Sequence, residues 1–208
     1  MTTASNQGTE RQEAIVEAAT RIFAEKGFAG ASNREIAREA GISSGLIYWY
    51  FQDKTELFQA VIQRLFPLKG LQIPEEPVPD VPLEQLLGSI AYQFMAIMTS
   101  RNVLSLIRLA LNEIIQFPEV WQKVGEMIAE RAIDPLARQL QARIDRGDLP
   151  PIEVRLAAQA FFGALIGYVL RKYLYRSEDL QESDDARFVD VVVQIHTAGL
   201  RAGVESNE

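Results

Sequence analysis

The chain has 208 residues and 48% of them are hydrophobic, which suits one medium-sized domain or a small domain joined to a larger one. It has no cysteine, which excludes disulfides and thiolate metal sites, and its net charge of −7 argues mildly against nucleic acid as a partner. The polar N-terminus lacks the apolar stretch of a signal peptide, and the apolar run over 157–170 is short for a bilayer, so we expect a soluble, cytoplasmic protein.

Helical spacing of apolar residues begins near the N-terminus, where the first predicted helix ends at Gly27. Ser32 with Glu35 three residues later is a capping-box signature, and it predicts a short helix that Gly41 ends. A second short helix is predicted over residues 43–51. The two short helices are separated by only a few residues, and this tight spacing is the first pattern in the chain that bears on function.

The next helix is opened by Asp53 and Glu56, which repeat the capping pattern, and Pro67 limits it. The stretch over 67–82 holds five of the nine prolines and is incompatible with regular helix or a central strand. We therefore predict a small helical domain over 1–66, a proline-rich linker or loop over 67–82, and a larger domain over 83–208.

The remainder of the chain also shows helical spacing. Three consecutive valines at 191–193 favour a strand locally, but the spacing of Phe188, Val192, Ile195 and Gly199 favours a helix. The fold class predicted is all-α, with a three-helix helix-turn-helix head, a larger C-terminal bundle and about nine helices. In the C-terminal part the predicted helices cover residues 83–99, 102–117, 118–147 with a kink near Pro135, 154–174 and 186–200.

The two short helices have the internal spacing of a helix-turn-helix. Ala37 is small where the two helices press together, and Gly41 permits the positive φ that a sharp turn needs. Ile47 is expected to plug the second helix into the core, with Ile36, Ala40 and either Tyr50 or Phe51 completing the buried set. This spacing, with the two capping boxes and a helix on either side, predicts that residues 1–66 form a helix-turn-helix DNA-binding domain.

The second short helix carries four adjacent aromatic residues, and they cannot all point inward because neighbours differ by about 100°. With Ile47 inward, Trp49 faces outward and Tyr48 lies on the flank, which suits a helix laid in the major groove. Small residues at its N-terminus can approach base edges and phosphates. The predicted DNA-binding residues are Ser32, Arg34, Ser43, Ser44, Gly45, Leu46, Tyr48, Trp49, Tyr50 and Lys54.

Four of these residues also have a simpler alternative role that does not involve DNA. Tyr50 can be plain core, Ser32 only a cap, Leu46 merely exposed and Lys54 one more surface lysine. Residues 1–66 contain seven Lys/Arg and eight Asp/Glu, a net of −1, yet no acidic residue lies over 41–52. Local charge outweighs the total because the Debye length is about 8 Å, and few phosphate ion pairs predict a shallow salt dependence.

The segment from about Arg11 to Ile62 closely resembles the DNA-binding head of the tetracycline-repressor (TetR) family, through FAEKGF, REIAREAG, SSGLIYWYF and DKTEL. The resemblance implies a homodimer, an all-helical ligand-binding body and repression relieved by a small molecule. It also places the predicted recognition-helix residues and Lys54 where family members touch operator DNA. LNEIIQFPEV and IDRGDL look like the multidrug-efflux-regulator branch.

The C-terminal part of the chain, residues 83–208, is predicted to be a ligand-binding and dimerisation domain. Small residues on the helix over 154–174 let two helix axes approach, so it and the last helix would form a four-helix interface, with packing inside one chain as the alternative. The predicted interface residues are Ala160, Gly163, Ala164, Gly167, Val192, Ile195, His196 and Gly199. Large and polar side chains predict the effector site, with core or a solvated face as the alternative. The predicted ligand-binding residues are Tyr92, Met95, Met98, Arg108, Asn112, Phe117 and Trp121.

The function predicted is a ligand-responsive repressor that binds a palindromic operator as a homodimer and is released by a small, largely apolar effector. An activator or dual regulator, or a ligand-independent regulator of the same fold, is the alternative. An enzyme is not expected, because the sequence has one histidine, no phosphate loop and no metal-spaced cluster. A helical adaptor would not need exposed Tyr48 and Trp49. The expected partners are operator DNA, effector and a second copy, with no cofactor, metal or membrane.

Overall fold

The structure is a computed structural model of the chain, and it describes residues 3–65, 68–100, 103–104, 107, 118–175, 180–181 and 184–202. Within these residues the regular structure is helical, which confirms the predicted all-α class. Two compact units are present: the head, made of residues 3–65 with 118–125, and the body, made of 68–104 with residues from 126 onward. Most of the helix predicted over 102–117 lies outside the described residues.

The head contains the four predicted helices. Gly27 has φ 74° and interrupts the first of them, at the position predicted for its end, because glycine adopts a left-handed backbone without a steric cost. The helices are α1 (Thr3–Gly30), α2 (Asn33–Glu39), α3 (Ser44–Tyr50) and α4 (Lys54–Leu65).

Each head helix contributes a large buried side chain to one apolar core. Phe23 of α1, Ile36 of α2, Ile47 of α3 and Phe58 of α4 are all at most 1% exposed. The rings of Phe23, Phe28 and Phe58 have centroids 4.9 to 5.8 Å apart. Aromatic rings at such distances stabilise a core beyond their buried area, so this cluster fixes α1 against α4.

The body is a bundle in which α5 packs on α8 and α9, and α7 packs on α8. Phe94 of α5 and Phe162 of α8 meet at a centroid distance of 5.0 Å in its core. The body helices are α5 (Leu83–Met98), α7 (Asp134–Asp145), α8 (Val154–Val169) and α9 (Asp184–Ala202), and α6 (Pro118–Ile128) belongs to the head over 118–125 and to the body from 126. Residues 191–193 are helical, as their wider spacing predicted.

Two π-helical turns interrupt the body helices. Ala129–Ile133 joins α6 to α7 two residues before Pro135, so the regular α-helix is interrupted where a kink was predicted. Proline has no N–H and its ring clashes with the carbonyl four residues earlier, and the wider turn relieves both problems. The second turn, Leu170–Leu174, extends α8.

The second π turn brings three side chains of the α8 end onto one carboxylate. Tyr168 and Tyr173 donate their hydroxyls to Asp185 at 2.7 and 2.9 Å, and Lys172 Nζ pairs with the same group. The Lys172 side chain is only 7% exposed, and Tyr168 stacks on Phe188 at 4.1 Å. Charge-assisted hydrogen bonds therefore fasten the end of α8 to the start of α9.

The proline-rich segment is held by two buried polar side chains of α7. Gln139 is fully buried; its amide donates to the carbonyls of Pro74 and Glu76 and accepts from the Val78 N–H. Arg143, 3% exposed, donates to the carbonyls of Val78 and Val81. Since prolines remove backbone donors, these side chains supply the partners that a helix or sheet would otherwise provide.

One helical stretch, Val154–Tyr173, is long and apolar enough by length and composition to cross a membrane, within the residues searched. The helix is longer than the apolar run considered in the sequence, because its flanks and the π turn extend it. Core helices of water-soluble bundles pass the same test, and Phe161, Phe162 and Leu165 on its inner face are buried. The stretch is therefore weak evidence for a membrane.

We predict that Gln139→Ala destabilises the protein by about 2–3 kcal/mol, because it leaves the carbonyls of Pro74 and Glu76 and the Val78 N–H without their partner. Urea unfolding followed by circular dichroism measures the change. Gln141→Ala is the control on the exposed side of the same helix and should cost less than about 0.5 kcal/mol. Equal losses in the two variants would contradict the role of Gln139.

Candidate nucleic-acid interface

Helix α3 points one side into the head and the other into solvent. Ile47 is fully buried and Phe51, its C-cap, is 3% exposed. Tyr48 and Trp49 are 60% and 75% exposed, and the half-buried Tyr50 meets the Trp49 ring edge-on at 4.7 Å. The predicted orientation is therefore confirmed, with two differences in the buried set: Phe51 rather than Tyr50 completes it, and Ala40 is only half-buried. An exposed indole beside a phenol is costly in water and suits a binding surface.

The turn before α3 is fixed by backbone geometry. Gly41 has φ 69°, its N–H donates to Arg38 O at 3.2 Å, and the Ile42 N–H donates to Ala37 O at 2.9 Å. This is a Schellman end, which needs a left-handed residue at the glycine position. Ala37, 1% exposed, lies at the packed side of α2 as predicted. The turn sets the angle at which α3 leaves α2.

The N-terminus of α3 is small, polar and open. Ser43, Ser44 and Gly45 are exposed, and the Ser43 side chain makes no cap hydrogen bond. A Cβ added at Gly45 would meet nothing within 4 Å. The first amides of a helix lack intrahelical acceptors, so the hydroxyls and amides here are free to bind acceptor oxygens.

Ser32 forms the predicted capping box with Glu35. Its hydroxyl accepts from the Glu35 N–H at 3.3 Å and donates to the Glu35 carboxylate at 2.8 Å, and that carboxylate also accepts the Ser32 N–H. The hydroxyl proton is thus engaged inside the cap. A phosphate contact from Ser32 would have to replace that bond, so the cap is its role in this structure.

Lys54 has a structural partner set that the sequence did not predict. Its Nζ donates to the carbonyls of Phe28 and Ala31 at 2.8 and 3.1 Å and lies 4.6 Å from the Phe28 ring centroid. Two of its three protons are therefore used to tie the end of α1 to the start of α4. Lys54 is thus not a plain surface lysine.

Three of the eight acidic residues over 1–66 are paired with a cation of the head. Arg21 pairs with Glu17 and Glu39, and Lys26 pairs with Glu35. Arg34, by contrast, is exposed and has no carboxylate partner among the described residues. The second predicted cap is half formed. Asp53 Oδ1 accepts the Glu56 N–H at 2.8 Å as predicted, whereas the Glu56 carboxylate accepts the Gln52 N–H instead of the Asp53 N–H.

Arg38 is a further exposed cation on the same helix as Arg34, four residues along, and it too lacks a carboxylate partner within the described part of the chain. Residues four apart share a helix face. This i, i+4 pair could have been found from the sequence, and Arg38 was not among the predicted DNA-binding residues.

The predicted effector residues fall into three groups. Met95 and Met98 are 5% and 3% exposed and belong to the body core. Tyr92 is 47% exposed, and its hydroxyl donates to Asp190 at 2.9 Å. The other predictions cannot be placed: Arg108, Asn112 and Phe117 lie outside the described residues, as does the side chain of Trp121. The structure thus separates Tyr92 from the two methionines.

The small residues predicted for the dimer face are open to solvent on α8. Ala160 is exposed and Ala164 half-buried, and a Cβ added at Gly163 or Gly167 would meet nothing within 4 Å. Packing inside one chain therefore does not require glycine at these positions. Large exposed apolar side chains also lie on the two helices predicted for the interface: Leu156 on α8, and Val191 and Ile195 on α9.

On α9 the predicted interface residues differ in exposure. Val192 is 4% exposed, because it lies on the side of α9 that faces its own body core. Ile195 is 63% exposed and Gly199 is open, so they keep an outward position. His196 is half-buried; its ring packs edge-on against Phe161 at 5.3 Å and its Nδ1 lies 2.8 Å from the carbonyl oxygen four residues earlier.

No group of three metal-ligating side chains lies together in the described portion of the chain. The interface that the residues assemble is thus a helix surface with two aromatic rings, small polar residues and exposed arginines. Such a surface can contact phosphates, sugars and base edges, and it offers no catalytic constellation among the described residues.

Two family models match the chain. One, described as bacterial regulatory proteins of the tetR family, matches residues 15–61, and one described as the C-terminal domain of AefR-like transcriptional repressors matches residues 85–199. Among relatives, the transcriptional repressor BepR of Brucella suis is 26% identical over 81% of this chain and 83% of its own length. The regulator AcrR of Shigella flexneri is 22% identical over 91% of both.

Solved structures share the fold. A TetR-family transcriptional regulator from Mesorhizobium loti superposes with a TM-score of 0.71 at 25% identity, covering 91% of this chain and 96% of that one. The flavonoid-responsive regulator FrrA gives a TM-score of 0.74 at 23% identity with the same coverage.

We predict that the α2 cap is acid-resistant. Hydrogen bonds from Lys26 and then Ser32 lower the pKa of Glu35 from 4.5 to about 2. The folded pKa is below the unfolded one, so the stabilisation is present above pH 4.5 and is lost as pH falls toward 2. A carbon-detected NMR titration measures the pKa of Glu35 from the pH dependence of its carboxyl signal. In Ser32→Ala the midpoint should rise toward its ordinary value; an unchanged midpoint would contradict the cap.

Proposed function

Because the chain belongs to the TetR family of transcriptional regulators, we propose that it is a repressor which binds a palindromic operator as a homodimer and is released by a small, largely apolar effector. The observation that carries this proposal is the outward face of α3, where Tyr48 and Trp49 stand exposed next to a small polar N-terminus.

In the proposed complex α3 lies in the major groove. Ser44 and Gly45 approach base edges and phosphates, Tyr48 donates its hydroxyl to a phosphate, and Trp49 packs on sugars or a thymine methyl. Arg34 and Arg38 add phosphate contacts from α2, because both are exposed and carry no internal ion pair in the described chain. With so few cations, aromatic and hydroxyl contacts supply much of the affinity.

A seven-residue helix reads few base pairs, so affinity requires two copies. In a twofold dimer two α3 helices read half-sites about 34 Å apart or a multiple of that distance. We propose that the dimer forms through the outward faces of α8 and α9, where Gly163 and Gly167 allow close approach and Ile195 supplies apolar area. Val191 replaces Val192 as the neighbouring contact.

Effector binding in the body is proposed to change the spacing of the two α3 helices and so lower operator affinity. The relative BepR is named a repressor, and the structural neighbour FrrA is named a flavonoid-responsive regulator. For this chain these names support a repressor released by an organic molecule. We propose that the protein acts in the cytoplasm, where its DNA is found. If binding upstream of a promoter raises transcription, the chain is an activator instead.

We predict that Trp49→Ala weakens binding to DNA flanking its own gene by about tenfold or more, because the exposed indole loses its packing on the duplex. Fluorescence anisotropy at moderate ionic strength measures the loss. Since Trp49 is 75% exposed, helicity and unfolding temperature should be unchanged. Tyr175→Ala, 73% exposed in the body, is the matched control. If both variants bind alike, α3 is not the reading helix.

We predict that Ile195→Glu shifts the monomer–dimer equilibrium by about tenfold or more toward monomer, because a carboxylate would be buried in the apolar interface. Sedimentation velocity across a concentration series measures the shift. Gln194→Glu adds the same charge one residue away, about 100° around α9, and should leave the dimer intact. A dimer that is insensitive to Ile195→Glu would place the interface elsewhere.

A further inference from the structure

A cleft of about 500 Å³ lies between α5 and α9 in the body. Its two ends are marked by polar pairs: Tyr92 donates to Asp190 at one end, and Arg201 pairs with Glu84 at 2.8 Å at the other. The two helices therefore run antiparallel along it. With a rise of 1.5 Å per residue, the eight residues from Glu84 to Tyr92 give a length of about 12 Å, enough for a small organic molecule.

The middle of the cleft is left open by small residues. Gly88 of α5 and Ala198 of α9 line it, and a Cβ added at Gly88 would meet nothing within 4 Å. Val193 contributes apolar surface beside them. A helix interior gains stability from alanine over glycine, so an open glycine here leaves space that helix packing alone does not explain.

One buried polar group that lines the cleft lacks a partner. The Thr197 hydroxyl has no hydrogen-bond partner in the described part of the structure, and Thr197 is only 4% exposed. A buried polar atom without a partner is unusual in a native protein and points to a missing ligand or water. Asp190, by contrast, is exposed and accepts the Tyr92 hydroxyl on Oδ1, so its carboxylate is accessible to a ligand.

The charges facing the cleft favour a cation. Glu84 and Asp190 contribute two carboxylates against the one guanidinium of Arg201, whose side chain is 58% exposed. Tyr92 adds a phenol ring that is nearly half exposed beside the Asp190 carboxylate. A carboxylate next to an open aromatic ring is the combination that recognises ammonium and amidinium groups.

We propose that this cleft binds a small organic cation, whose charged end pairs with Asp190 beside the Tyr92 ring and whose apolar body lies over Gly88 and Ala198. A polar atom of the ligand about 10 Å from the charge then reaches Thr197, two helical turns along α9. The site is separate from the core methionines Met95 and Met98. Binding here does not depend on DNA recognition or repression.

The cleft is also distinct from the proposed dimer face. Asp190, Gln194, Thr197 and Arg201 follow one stripe of α9, whereas Val191 and Ile195 follow another about 100° away. A partner subunit on the outward stripe therefore leaves the α5 side of α9 accessible to small molecules.

The test uses the full chain and three flat probes of matched shape: benzamidine, benzamide and benzoate. Isothermal titration calorimetry should show benzamidine binding at least about tenfold more tightly than either of the others, because only it carries a positive charge. Equal affinities for the three probes, or no saturable benzamidine binding up to about 10 mM, would overturn the proposal.

Two variants locate the binding. Asp190→Asn removes the charge but keeps an oxygen to accept the Tyr92 hydroxyl, and it should abolish the preference for benzamidine; Glu75→Gln, on the exposed loop, is its control and should not. Gly88→Leu fills the open space and should abolish binding of the cation, whereas Gly125→Leu, at another open helical glycine, should not. Benzamidine affinity unchanged by Asp190→Asn sinks the proposal even if Gly88→Leu fails to fold. Operator binding, measured separately on each variant, reports on the proposed function alone.

Discussion

A helix of seven residues cannot persist by itself in water, since its few hydrogen bonds do not offset the cost of starting a helix. Helix α3 exists because Ile47 and Phe51 are buried in the head and because Gly41 turns the chain sharply after α2. The same anchoring forces Tyr48 and Trp49 outward. The surface proposed to meet DNA is therefore a by-product of how the head core is filled, and loss of that core would remove the surface as well.

Charge in this protein has to be considered locally. The chain is acidic overall, yet Glu17, Glu35 and Glu39 are paired with arginine or lysine inside the head. Pairing of this kind adds little stability at an exposed surface, but it removes negative potential from the neighbourhood of α3. The overall acidic composition therefore says little about the surface near α3, where the exposed arginines of α2 add positive charge.

The head was predictable because its signals are local. The capping box of Ser32 and Glu35, the glycine at 41 and the inward Ile47 each involve residues within a few positions, where helix geometry fixes the outcome. Lys54 was not predictable, because its carbonyl partners lie 23 and 26 residues away. The burial of Val192 was missed for a related reason. Helical spacing gives a face for α9, but which flank meets α5 or α8 depends on packing between elements.

The same limit applied to the α5–α9 cleft, whose defining pair, Tyr92 and Asp190, is 98 residues apart. One sequence cannot bring such residues together, whereas the exposed aromatic residues of α3 could be recognised from adjacency alone. The π turn before Pro135 was predictable from the sequence only in part. Proline predicted a disturbance at that point, but a wider turn and a bend are equally compatible with a missing N–H.

The grip of Gln139 and Arg143 on the proline-rich segment has a consequence for biosynthesis. Every one of those hydrogen bonds from α7 to the segment spans 61 to 65 residues. At ordinary translation rates the ribosome needs about 3 to 12 s to make 60 residues, so the segment emerges long before its partners do. In that interval it cannot pair readily with neighbouring nascent chains, because prolines interrupt the row of donors that a β-edge requires. The prolines that make the segment dependent on α7 also protect it while it waits.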